Sequence, residues 1–139
     1  MGRLSYDLHS RPQKGLFAQL ESQGQNIIKV VLTSKTQQKN DVNTYFCQNW
    51  DQVKNVILKL KNQISEAWNL GGPRVYKVQL EDKNQPLPGK LYLTTLHTVF
   101  ECDTFYPTEY ITNLKSTIDS SKIHEENGIK LQFHTYDLL

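Results

Sequence analysis

The longest nearly continuous apolar run is "NIIKVVLTS" (26–34), rich in β-branched residues and followed by the polar "SKTQQKND". Such a run predicts a strand covered on both faces, as in a mostly parallel sheet. A second, shorter strand is predicted at "VNTYFC" (42–47). Asn49 then stands where an N-cap belongs, ahead of "WDQVKNVILKLKNQI", in which Trp50, Val53, Val56, Ile57, Leu60 and Ile64 recur at helical spacing. "EAWNL" (66–70) reads as a third strand running into Gly71-Gly72, and residues 73–81 fit a helix that tolerates Pro73 in its first turn.

After the turn-rich "DKNQPLPG" (82–89), "KLYLTTLHTVF" (90–100) alternates Leu91, Leu93 and Thr95 against Tyr92 and Thr94, the pattern of a strand. "ECDTFYPTEYI" reads as an irregular loop, "HEEN" (124–127) as a solvated turn, and "IKLQFHTYDLL" (129–139) as the last strand. Before residue 26 the pattern is weak. "RPQKGL" (11–16) carries Pro and Gly punctuation, and "LFAQLESQ" makes two helical turns before Gly24. This order predicts one α/β domain over 1–139: a mixed sheet, mostly parallel, with an antiparallel C-terminal hairpin and flanking helices.

Composition narrows the partners more than the fold. A chain of 139 residues with 37% hydrophobic and 22% charged residues is an ordinary globular length and mixture. The net charge of +2 is small and the basic residues are scattered, which argues against nucleic acid and against an acidic membrane surface. No window approaches a membrane span, and the start has no secretory apolar core. Cys47 and Cys102 lie far apart; two free thiols in a reducing, cytoplasmic setting is the favoured reading, with a single disulfide the alternative.

Three stretches carry candidate chemistry. A strand ending in Gly71-Gly72 with a helix behind it lets backbone N–H groups approach a phosphate, although the sequence is neither GxGxxG nor a Walker motif. Paired glycines more commonly make a plain tight turn. "VVLTSK" (30–35) ends a strand with Thr33, Ser34 and Lys35, two hydroxyls and a cation suited to phosphate; an exposed loop start is the plainer reading. His9, His97, His124 and His134 lack metal-binding spacing, no Ser or Cys sits in a nucleophile elbow, and no pair of carboxylates stands out as acid and base.

Taken together, "WNLGGPRVYK" (68–77), "KLYLTTLHTVFECDTFYP" (90–107) and "EENGIKLQFHTYDLL" (125–139) resemble the C-terminal half of eukaryotic dihydrofolate reductases. The family shows Trp-x-aliphatic-Gly-Gly-x-x-Val-Tyr, a strand with a threonine, Asp-Thr-Phe-Phe-Pro and a closing strand, in that order. "MGR" (1–3) looks like its Met-Gly-Arg/Lys helix start, "RPQKG" (11–15) like its Arg-Pro-x-x-Gly turn, and "VVLTSK" like its strand toward the cofactor's adenosine phosphate.

The resemblance implies NADPH as cofactor. Gly71, Gly72, Pro73, Arg74 and Val75 would lie against its pyrophosphate and nicotinamide ribose. Gly2, Arg3 and Ser5 would face the pyrophosphate from a second helix start, and Thr33, Ser34 and Lys35 would meet the 2′-phosphate end. On the substrate side, for dihydrofolate or another pterin, it implies Leu70, Tyr76 and Thr94.

The departures from the family pattern bear on activity. The chain lacks the family's N-terminal quarter, with its first central strand and the helix bearing the active-site carboxylate, so no catalytic residue is assigned. The arginine that clamps the folate carboxylate aligns with Leu16 or Ile27, neither of which binds a carboxylate. A lost central strand implies unpaired edges, and with them marginal stability, self-association or pairing with a related chain. The implied function is NADPH-dependent reduction of dihydrofolate to tetrahydrofolate, impaired in this chain. The alternative is a non-catalytic NADP(H)-binding relic or partner of a full-length reductase. An RNA-binding module is weaker than either, because lysines and aromatics form no platform.

Overall fold

A computed structural model describes residues 1–35, 42–84, 86–119 and 121–138. The polar stretch at 36–41 and the end of the last predicted strand, residue 139, lie outside the described residues. Two compact units divide the chain, Met1–Val78 and Gln79–Leu139.

In the first unit, β1 (Lys29–Leu32) runs parallel to β2 (Thr44–Cys47), with Lys29 opposite Thr44 and Leu32 opposite Cys47. The chain start forms a further parallel edge on the other side of β1. The Met1 nitrogen donates to the Val30 carbonyl at 2.9 Å, Leu32 N–H donates to the Met1 carbonyl at 2.8 Å, and Gly2 bridges to Leu32. β1 is thus paired along both edges, and helices packed on it leave Val31 0% exposed, with Lys29, Val30 and Leu32 half-buried.

Three helices surround these strands. α1 (Arg3–His9) follows Gly2 directly, and the Gly2 carbonyl accepts from Tyr6 N–H at 3.0 Å. α2 (Leu16–Ser22) buries Phe17, whose ring lies edge-on to His9 and beneath the Lys29 ammonium. α3 (Trp50–Leu60) is capped by Asn49, whose side chain accepts from Gln52 N–H at 2.9 Å. It buries Val53, Lys54 and Leu60.

Residues 66–70 are not a strand. Two contacts there are local: Trp68 Nε1 donates to Glu66 Oε2 at 2.9 Å, and Asn69 Oδ1 accepts from Gly71 N–H at 2.9 Å. The Asn69 contact is a local side-chain-to-backbone bond of the kind that favours a turn over an extended strand. α4 (Pro73–Glu81) follows with the predicted bounds and runs across the boundary between the units.

In the second unit, β3 (Gly89–Leu96), β4 (His124–Glu126) and β5 (Ile129–Leu138) form an antiparallel sheet in the order β3-β5-β4. Leu91, Leu93 and Thr95 are half-buried while Tyr92, Thr94 and Leu96 are exposed, as the alternation predicts. Thr117 binds the Thr135 carbonyl through its N–H at 2.7 Å and its hydroxyl at 3.1 Å, tying an irregular segment to buried Thr135 of β5.

The "HEEN" stretch is a correction to the sequence reading. It supplies β4, and Asn127 and Gly128 make the two-residue turn into β5 with φ of 52° and 78°. Both central residues of such a turn need positive φ, which Asn-Gly tolerates. The architecture is thus mixed α/β, with the parallel strands in one unit, the antiparallel strands in the other, and helices flanking.

Candidate functional site

Three separated stretches meet at the carboxyl end of β1. Gly2 N–H donates to the Gly71 carbonyl at 2.6 Å, joining the chain start to the turn before α4. A Cβ built on Gly2 would lie 3.4 Å from Val75 Cγ2 and 3.8 Å from both the Gly71 oxygen and the Gly72 nitrogen. Because Gly2 pairs with Leu32, Arg3 and Thr33 leave the same end of the parallel strands. Open parallel sheets bind ligands at that end, where helices begin and backbone donors are unspent.

The turn is shaped by residues on both sides. Gly71 has φ 68°, and the Gly71-Gly72 peptide is cis. A Cβ on Gly71 would come within 2.5 Å of Tyr76 Cε2 and 2.6 Å of Cζ, so only glycine admits the tyrosine ring here. Burial pushes the Tyr76 hydroxyl pKa above its ordinary value. The Gly72 carbonyl accepts from Val75 N–H at 2.9 Å and Tyr76 N–H at 3.2 Å, starting α4. A Cβ on Gly72 would meet nothing within 4 Å among the described residues, leaving room for a ligand's close approach.

Arg3 follows Gly2 at the start of α1. Its Nε donates to Asp7 Oδ1 at 2.8 Å, and its Cζ lies 5.8 Å from the centroid of the Tyr6 ring. Nη1 is buried and has no hydrogen-bond partner among the described residues. At the end of β1, Thr33 is buried, its N–H donates to the Cys47 carbonyl at 2.8 Å, and its hydroxyl oxygen accepts from Lys35 N–H at 3.3 Å. Ser34 and Lys35 are exposed. Thr33 therefore belongs to the structural end of the strand, whereas Ser34 and Lys35 face solvent.

The structure gathers Gly2, Gly71, Gly72, Val75 and Tyr76 by direct geometry, with Arg3 and Ser5 following Gly2 on α1. Leu70 and Pro73 flank the turn half-buried, and Arg74 points into solvent on α4. Thr94 lies in the second unit, exposed on β3 opposite Phe133. Sequence reasoning missed Asp7 and Asn69. The i,i+4 spacing of Arg3 and Asp7 signals the first, and an Asx residue two before a glycine signals the second.

Among the described residues, no three His, Cys, Asp or Glu side chains are grouped to hold a metal, and no helix is long and apolar enough to cross a membrane. Both cysteines are free, Cys47 buried and Cys102 exposed. Burial also pushes the Cys47 thiol above its usual pKa, so it is poorly ionised.

A dihydrofolate reductase family model matches residues 16–138. A dihydrofolate reductase of Aedes albopictus is 36% identical over 81 residues, covering 56% of this chain and 42% of the relative. One from Drosophila melanogaster is 31% identical over 108 residues, covering 74% of this chain and 57% of the relative. The chain thus spans about half the length of these curated relatives. Among solved structures, Schistosoma mansoni dihydrofolate reductase superposes with a TM-score of 0.68 at 22% identity, over 100% of this chain and 73% of that one. At that identity the match speaks for the fold.

Proposed function

The chain belongs to the dihydrofolate reductase family, and on that premise we propose that it binds NADPH at the Gly71-Gly72 turn in the service of reducing dihydrofolate, or another pterin, to the tetrahydro level. The observation that carries this is the 2.6 Å bond from Gly2 N–H to the Gly71 carbonyl, which sets Arg3 and the glycine turn side by side at a strand end. The residues fit a dinucleotide. Gly72 leaves open space where a side chain would stand, and Arg3, directly after Gly2, is a cation at the start of α1.

When bound, NADPH supplies the hydride. The chain's own part is to hold and orient it. Gly71 and Gly72 allow close approach to the pyrophosphate, with Pro73, Arg74 and Val75 behind them. Gly2, Arg3 and Ser5 face it from α1, and Ser34 and Lys35 take the 2′-phosphate end beyond Thr33. Leu70 and Tyr76 line the pterin side. Thr94 is assigned to the substrate on the family resemblance alone. NADPH and the two free thiols fit a cytoplasmic setting.

None of the chain's carboxylates matches the family's proton-donating acid, so these 139 residues by themselves are expected to bind without appreciable turnover. Titrating the pure chain with NADPH and following nucleotide fluorescence tests binding; a flat titration to millimolar cofactor overturns the proposal. Adding dihydrofolate and following NADPH oxidation tests turnover, and steady oxidation would overturn the expected impairment. Binding without turnover is also what an NADP(H)-binding partner of a complete reductase would show. An increase in a full-length reductase's activity on mixing would favour that role.

A further inference from the structure

β3 is an outer strand of the second unit's sheet, and none of its eight residues is buried. Just past its end, His97 N–H donates to the Lys130 carbonyl at 2.8 Å. Bonding alternates along an antiparallel ladder, so the odd-numbered positions of β3 face β5 and the even-numbered ones face outward. Lys90, Thr94 and Leu96 thus turn their N–H and C=O groups away from the sheet, and no other backbone group among the described residues takes them up. The usual devices that blunt such an edge are missing. β3 has no proline, its register with β5 runs without a bulge, and its lone charge, Lys90, is bound to Asp137 Oδ1 at 2.7 Å.

We propose that β3 is the contact strand of a homodimer, pairing antiparallel with β3 of a second copy across a two-fold axis at Leu93. That axis matches all four outward-facing positions, setting Thr94 opposite the second copy's Tyr92 and Lys90 opposite its Leu96. Antiparallel self-pairing is isologous, so one edge supplies both halves and the assembly closes at two. The charges suit a second copy. The two Lys90 side chains stand at opposite ends of the seam, each beside its own Asp137, so no like charges meet. The net charge of +2 adds little repulsion between copies. Tyr92 and Leu96, both exposed, gain cross-strand neighbours in Thr94 and the methylene stem of Lys90. At the sheet's other edge, β4 has three residues, two of them Glu125 and Glu126, which discourages a further copy from adding there. This pairing is independent of the NADPH assignment.

Sedimentation equilibrium of the whole 139-residue chain at rising concentration is expected to give a mean mass that climbs from one copy to a plateau at two. Amide exchange on the same samples is expected to slow at Lys90, Thr94 and Leu96 as the dimer forms. Thr94→Pro removes an outward N–H without touching the ladder to β5. It is expected to stay monomeric over the same range while melting close to the diluted parent. A constant monomer mass for the parent overturns the proposal, as does a mass that passes two copies without a plateau. A Thr94→Pro chain that still dimerises also overturns it, moving the contact to another surface such as exposed Phe100 and Phe105. If Thr94→Pro does not fold, the exchange measurement on the parent decides, and rates at those three amides that ignore concentration overturn the pairing.

Discussion

At Gly71 and Gly72 two adjacent residues of one type answer to different constraints. Gly71 has φ 68° and faces the Tyr76 ring, so Gly71→Ala combines backbone strain with a collision. The expected loss is about 2 kcal/mol or more, read from urea unfolding. A Cβ on Gly72 meets nothing within 4 Å among the described residues, so Gly72→Ala is expected to change stability by less than about 1 kcal/mol while weakening the proposed NADPH binding. Equal effects of the two substitutions on unfolding would contradict this division of labour. The Gly-Gly pair was legible in the sequence, but its roles were not. The dipeptide does not say that Asn69 folds back onto Gly71 N–H, nor that the residue five positions on from Gly71 is its steric neighbour.

Among the elements, α3 and α4 were the most readable, because apolar spacing and terminal residues agree. Asn49 both precedes the periodic stretch and accepts from Gln52 N–H, so Asn49→Ala is expected to cost about 1 kcal/mol in thermal or urea unfolding. The failures were a false strand and a missed one. "EAWNL" has strand-like residues, but Asn69 folds back onto Gly71 N–H at its end, which favours a turn. β4 is short and polar, and its only signal was the Asn127-Gly128 pair.

The link between the end of α4 and the following 3₁₀ turn (Thr108–Tyr110) carries a pH signature. The Tyr110 hydroxyl donates to Glu81 Oε1 at 2.6 Å, and this bond, with its neighbouring carboxylate charge, pushes the phenol pKa up to about 12. The protonated form is favoured in the folded state, so its contribution is complete below the unfolded value near 10 and is lost as pH rises toward 12. Between those values the parent chain is expected to lose stability more steeply than Tyr110→Phe. Parallel pH profiles for the two would show that the bond does not matter.

For the molecule as a whole, apolar burial is uneven. The first unit buries Phe17, Val31, Cys47, Val53, Leu60 and Val75, whereas the second buries Ile111 and Leu131 and leaves Tyr92, Phe100, Phe105 and Phe133 about half exposed or more. Exposed aromatic surface of this extent promotes association. Sedimentation over rising concentration is expected to show increasing mean mass; a constant monomer mass at all concentrations would refute that. The family pattern made the mixed α/β architecture legible, because Trp68, the glycine pair and "DTFYP" come in a fixed order. The exposure of individual side chains depends on tertiary neighbours that no local pattern names.

The bond between Gly2 and Gly71 has a consequence for synthesis. Its two partners stand at opposite ends of the first unit's sequence, and everything between them must be made before they can meet. On a ribosome, the Met1–Gly2 edge can dock on β1 well before the glycine turn has left the exit tunnel. The junction of Gly2 with Gly71 is then the last part of that unit to close, and a chain released before residue 71 would carry strands and helices but not the turn proposed to hold the cofactor.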